Sequence, residues 1–193
     1  MKRFASAGLV VALVLLAPGA FAQTASAPAV AAAPAAPAAR PAARPADVAS
    51  VDAIMAALYD VVSGPAGKVR DWDRLRSLFV PDGKMGVIGA KPGGGFGHRS
   101  MSVDDYIARS SKTFSEMGFF ETELARTSDA FGQMTHVFST YEARKAPTDA
   151  KPFVRGVNSL QLYNDGARWW VISLLWRAED DKLSLPEKYL KSH

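Results

Sequence analysis

The sequence predicts an α+β fold: a cone-shaped domain of three N-terminal helices packed on a curved, mostly antiparallel sheet. Residues 47–117 carry three helical stripes, in which apolar side chains recur at three- and four-residue intervals. Residues 119–179 carry four strand-like runs in succession, and the last two form one long hairpin holding Trp169, Trp170 and Trp176. Helices segregated from consecutive strands make an α+β domain rather than an alternating one. A single sheet with one apolar face must curl around a helix to cover it, and the open end of such a cone is a natural pocket.

The chain begins with Lys2 and Arg3, the apolar run 9–16 and then Ala20-Phe21-Ala22. This is the pattern of a cleaved signal peptide over residues 1–22, and the run is too short to span a bilayer. The expected product is periplasmic or secreted, without stable membrane insertion. Residues 23–46 hold 18 Ala or Pro among 24. They cannot bury a core and are expected to be a disordered linker. A single domain is expected over residues 47–180, followed by a loose charged tail at 181–193.

Within the domain, Val51, Ile54, Met55, Leu58, Tyr59 and Val62 mark the first helix, which Gly64-Pro65 ends. Asp71 caps a second, with Trp72, Leu75 and Leu78 inward and Pro81-Asp82-Gly83 as its stop. Residues 85–88 read as a short strand and 91–99 as a loop. Ser102 and Asp105 form a capping box ahead of the third helix, whose stripe includes Val103, Tyr106, Ile107 and Phe114. Runs 119–131 and 134–145 are two strands joined at Gly132.

Asn164-Asp165-Gly166 breaks the hairpin, and Asp-Gly between β-rich runs is a strong turn signal. A three-residue loop there pairs Leu160 with Trp170. It places Asn158, Leu160, Trp170, Ile172, Leu174 and Trp176 on one apolar face. The opposite face then holds Val157, Tyr163, Trp169, Val171 and Leu175, enough exposed apolar surface to predict a homodimer.

Charge and cysteine content exclude several classes. Of 23 Lys and Arg, four (Lys2, Arg3, Arg40, Arg44) precede Asp47, leaving 19 against 19 acidic residues in the rest of the chain. No nucleic-acid footprint is therefore expected. With no cysteine there is no disulfide, and His98, His136 and His193 have no metal-like spacing, so neither metal nor cofactor is expected. The loop of Gly93, Gly94 and Gly95 lacks phosphate-binding spacing; beside His98 it reads as a lid or as a plain loop. Glu121 and Glu123 alternate with Phe120, Thr122 and Leu124, which reads as a solvated strand face. Arg155 and Glu142 are expected to pair across strands.

The stretches 71–83 (DWDRLRSLFVPDG) and 155–179 (RGVNSLQLYNDGARWWVISLLWRAE) resemble the nuclear transport factor two-like superfamily, in its SnoaL-like branch. The superfamily includes ketosteroid isomerase, polyketide cyclases, dehydratases and non-enzymatic binding modules, so the resemblance implies a fold more sharply than a function. In ketosteroid isomerase a carboxylate base follows the second helix; the matching residue here is Val87, which cannot take a proton. The oxyanion-hole acid falls on Asn158, the aromatic wall on Trp176, and Tyr59 is the nearest match to the first-helix tyrosine.

The expected function is an exported protein that binds a small hydrophobic molecule in an apolar cone. Trp170, Trp176, Leu160, Leu174, Tyr59 and Phe138 would form its walls. Asn158 either orients the ligand or is satisfied by the covering helix. The alternative is a SnoaL-like isomerase, cyclase or dehydratase with His136 as acid or base and Asn158 polarising a carbonyl. In that phase His136 points inward; otherwise it is structural.

Overall fold

The computed structural model describes residues 40–191. The signal peptide, most of the linker and His193 lie outside the described residues. The elements are α1 (Pro45–Val48), α2 (Val51–Val62), α3 (Trp72–Leu78), β1 (Phe79–Ala90), β2 (Phe96–Ser102), α4 (Val103–Glu116), β3 (Phe120–Phe131), β4 (Met134–Arg144), β5 (Val154–Asn164) and β6 (Trp169–Ala178), with a 3₁₀ turn at Glu187–Tyr189. They form an α+β domain around one six-stranded sheet in the order β2-β1-β6-β5-β4-β3. Among these strands only the β1–β6 pair is parallel.

The helix signals are realised by their own chemistry. Ser50 caps α2 through Ala53 N–H, Asp71 caps α3 through Arg74 N–H, and Ser102 with Asp105 closes a reciprocal box at α4. Ile54, Met55, Leu75, Leu78, Val103 and Phe114 are buried from the three helices against the sheet. After α2, the buried Arg70 guanidinium donates to the carbonyls of Val62, Gly64, Pro65 and Lys68. One cation thus satisfies the acceptors that a helix end and an irregular loop leave open.

Four expectations are corrected. The linker does not extend to residue 46, because Arg40 donates to the carbonyls of Arg76 and Pro81, and Arg44 pairs with Asp71. Pro45 then opens α1, and Asp47 forms a two-point ion pair with Arg74 at 2.7 and 2.9 Å. The loop at 91–99 is only a turn: Phe96 to Ser102 pair with β1 as β2, placing His98 opposite Ile88 on an exposed edge. The tail is not loose. Its Tyr189 ring lies 5.3 Å from Phe138, its carbonyl accepts from Thr140, and Leu185 N–H donates to Glu179. Arg155 pairs with Glu179 rather than Glu142, which pairs with Arg144.

The hairpin loop also differs from expectation. Asn164 pairs with Trp169, so Asp165 to Arg168 form a four-residue loop. The Asp165 carboxylate accepts from Ala167 N–H, Arg168 N–H and the Trp170 indole, and Gly166 takes a φ of 97°. These bonds stabilise a longer turn than the Asp-Gly pair implies. A bulge follows, with Leu162 opposite Val171 but Gln161 opposite Ser173, and Ile172 is the extra residue. The bulge inverts the faces on its turn side. Trp169 and Val171 face the core, while Trp170 and Ile172 face outward. Beyond the bulge, Leu174 and Trp176 return to the face of Leu160 and Asn158, as expected.

Candidate functional site

Between the inner sheet face and helices α2, α3 and α4 lies a pocket of about 280 Å³. Alternation along each strand decides its walls. Asn158 and Leu160 come from β5, Leu174 and Trp176 from β6, and Tyr141 from β4, while α2 contributes Tyr59 and α4 contributes Tyr106. Fully buried Leu75 and Leu160 line one part, and half-buried Val154, Trp176 and Ala178 line another, at the start of β5 and the end of β6.

Five of the sequence-predicted site residues meet here: Asn158, Trp176, Leu160, Leu174 and Tyr59. Three others do not. Trp170 is turned outward by the bulge, with the Arg168 guanidinium 3.6 Å from its ring centre. Phe138 and His136 stand opposite Ser159 and Gln161 on the outer face, since β4 directs Val137, Ser139 and Tyr141 inward. His136 Nε2 lies 3.0 Å from the Ser159 hydroxyl. The imidazole therefore cannot act in this pocket, and the inward phase expected for it is corrected.

Glu121, which the alternation assigned to solvent, enters the pocket instead. The polar cluster is continuous. Asn158 Nδ2 donates to the Tyr59 hydroxyl at 3.2 Å and, more weakly, to Glu121 Oε1 at 3.4 Å. Tyr59 and Ser139 hydroxyls are 2.6 Å apart, and Ser139 donates to Glu123. Arg126 holds Glu123 in turn at 2.7 Å. Because Ser139 gives its proton to Glu123, Tyr59 donates to Ser139 and turns its lone pairs toward Asn158. Asn158 is thus satisfied by side chains of the covering helix and of β3, rather than by helix backbone.

No protein-family model and no curated protein matches this sequence. Solved structures do. A protein of unknown function with a cystatin-like fold from Nostoc punctiforme superposes with a TM-score of 0.52 at 10% identity, covering 70% of this chain and 92% of that one. A proposed dehydratase of the nuclear transport factor two-like (NTF2-like) family from Streptomyces avermitilis gives 0.50 at 13% identity, covering 69% and 96%. The β subunit of a proposed aromatic-ring-hydroxylating dioxygenase from Novosphingobium aromaticivorans gives 0.50 at 15%, covering 70% and 91%. This chain has the NTF2-like fold.

In this NTF2-like domain the electrostatics of the pocket centre on Glu121. Burial pushes its carboxyl up to about 7, against which the Asn158 amide is the one opposing influence. The residue is half-buried overall because β3 is an edge strand, but its carboxyl group lies inside the pocket. Burial raises the phenols of Tyr59, Tyr106 and Tyr141 as well, and the nearby Glu121 charge adds to each shift. Three tyrosines from α2, α4 and β4 therefore surround one carboxyl. Among the described residues no group of three His, Cys, Asp or Glu is placed to hold a metal. Val87 pairs with Trp176 on β1 and offers no titratable group.

Strand alternation could not assign Glu121, because both faces of β3 are mixed. Leu124 is 39% exposed, whereas Glu121 and Glu123 share the face of Tyr141 and Ala143. The available signal was Asn158. A buried amide on an apolar face requires partners, and a carboxylate on a neighbouring strand is one.

Proposed function

We propose that this is an exported small-molecule-binding protein, whose pocket seats a compact, mainly apolar molecule with its polar group against Glu121 and Asn158. The observation that carries this reading is the 280 Å³ pocket, walled by aromatic and aliphatic side chains with its polar groups clustered. That composition is typical of ligand sites, at the small end of their size range. Export is supported by Lys2, Arg3, the apolar run 9–16 and the Ala20-Phe21-Ala22 cleavage pattern. No helix among the described residues is long and apolar enough to cross a membrane. Outward-facing Trp170, Ile172 and Leu175 support a homodimer, to be tested by light scattering.

A second reading, an acid–base enzyme such as an isomerase, cyclase or dehydratase, is favoured by one observation. A carboxyl that titrates at about 7 inside a pocket is poised to exchange a proton at neutral pH. Glu121 takes the role that His136 was expected to play.

Native mass spectrometry of protein purified from its own periplasm tests the binding reading. A co-purifying small molecule is expected. Asn158→Leu should weaken its binding, and His136→Ala should leave it unchanged. Absence of a bound molecule, together with no uptake of apolar probes, would refute it. Turnover that Glu121→Gln abolishes while binding persists would establish the second reading.

A further inference from the structure

Among the described residues, the pocket wall contains one ionisable acid and no Lys, Arg or His. No basic side chain lines the wall beside Glu121, whose carboxyl is raised by burial and lowered by the neutral Asn158 amide. The other groups facing it are the phenols of Tyr59 on α2, Tyr106 on α4 and Tyr141 on β4; outside the wall, Arg70 lies over the Phe114 ring and acts on Tyr106, and Arg177 acts on Tyr141. Glu123, on its own strand, is engaged by Ser139 and Arg126 instead. A carboxylate without a counter-ion in an apolar site is costly, and a bound cation is the group that relieves it.

The surrounding side chains suit that cation. Tyr59, Tyr106, Phe114, Phe119, Tyr141 and Trp176 place six aromatic rings in the wall, and π faces attract cations most strongly where water is excluded. The Tyr59 hydroxyl is occupied by Ser139 and Asn158, whereas Tyr106, bonded to Ser110, and Tyr141 both feel the Glu121 charge and keep a lone pair able to accept a hydrogen bond. A primary ammonium carries three N–H donors, which match one carboxylate and two phenol oxygens. An anionic ligand would meet the Glu121 charge with no cation in the wall to bond it, Arg70 lying over Phe114 with its donors given to backbone carbonyls. The pocket volume suits a single ring with a short side chain.

We propose that the pocket's ligand is a small hydrophobic amine, bound as its ammonium ion with Glu121 as counter-ion inside the aromatic wall. This rests on the reading of the pocket as a ligand site. It also predicts a pH dependence. The amine stays protonated up to about the lysine range, so the Glu121 carboxyl governs binding. With that group at about 7, the ionised fraction is roughly tenfold higher at pH 8 than at pH 6.

Calorimetry of the full chain with three similar probes, 2-phenylethylamine, 2-phenylethanol and 3-phenylpropanoate, tests it. At pH 8 the amine should bind roughly tenfold or more tightly than the alcohol, since hydrogen bonds to charged groups are the stronger kind. Its affinity should fall about tenfold at pH 6 while that of the alcohol is unchanged. Glu121→Gln should erase both the preference and the pH dependence. If the alcohol or the acid binds as well as the amine, or Glu121→Gln leaves the amine's affinity intact, the amine proposal is overturned and the pocket remains a ligand site. If none of the three binds, the ligand-site reading fails with it.

Discussion

Glu121→Gln is expected to stabilise the folded protein, by an amount that grows as pH rises above 4.5 and levels off above about 7. The folded carboxyl titrates at about 7 against 4.5 for the free group. Between those values the native state holds a proton that the unfolded chain has released, so stability falls as pH rises through that window and levels off above about 7. Each tenfold change in an acid's ionisation equilibrium corresponds to about 1.4 kcal/mol, so the charged state costs the fold about 3 kcal/mol at pH 8. Glutamine carries no charge at any pH and keeps an oxygen to accept from Asn158. The variant should match the wild type below pH 4.5 and exceed it by about 3 kcal/mol at pH 8, or by roughly 6–12 °C in melting temperature for a domain of this size. Urea denaturation of both proteins at intervals from pH 4.5 to 8 reads the difference directly. Parallel stability curves across that range would show that the Glu121 carboxyl is solvated like a surface group. The electrostatic part of the site would then be wrong. A residue that destabilises its own fold when charged is typical of functional sites, where stability and activity trade off.

Asp47→Asn breaks the two-point pair with Arg74, whose hydrogen bonds hold the Asp47 carboxyl below its usual range. A loss of about 2 kcal/mol is expected at pH 7, with both side chains largely buried. Because the folded carboxyl is depressed, that loss should shrink as pH falls below the ordinary aspartate range, which acid-series urea denaturation checks. Gly156→Ala sets a methyl group 2.4 Å from the Arg177 carbonyl oxygen and 2.7 Å from the Tyr141 hydroxyl. It should destabilise the domain by about 1–3 kcal/mol and displace Tyr141 from the pocket, measured by denaturation and probe binding together. Truncation after Glu179 uncovers Phe138 and Thr140, so binding of a hydrophobic dye should rise; an unchanged dye signal would mean the tail does not cover the sheet in solution.

Local chemistry was legible wherever the cause lies within a few residues. The caps at Asp71 and Ser102, the stripes of the three longer helices and the meander from Phe120 to Ala178 follow from spacing alone. So did five pocket residues, because Leu160, Asn158, Leu174 and Trp176 alternate on strands and Tyr59 lies on the helical stripe. What spacing could not supply was phase across an irregularity. One extra residue at Ile172 reversed Trp169 through Ile172, since the side-chain period of a strand is two and a bulge shifts it by one. His136 and Phe138 were placed by the partner strand, whose register is a long-range pairing.

Glu121 is the sharpest case. Its sequence neighbours describe a solvated strand, and on sequence alone that is the lower-energy assignment for a carboxylate. Tertiary structure overrode it by bringing Asn158, Tyr59, Tyr106 and Tyr141 from four other elements around one point. The sequence by itself determined the three longer helices, the four strands of the meander and the apolar stripes buried on them away from the bulge, because those follow from local geometry and hydrophobicity. The tertiary structure alone decided where the one charged group of the pocket lies. A buried charge is tolerated only by the sum of its surroundings, and no single stretch of chain contains them.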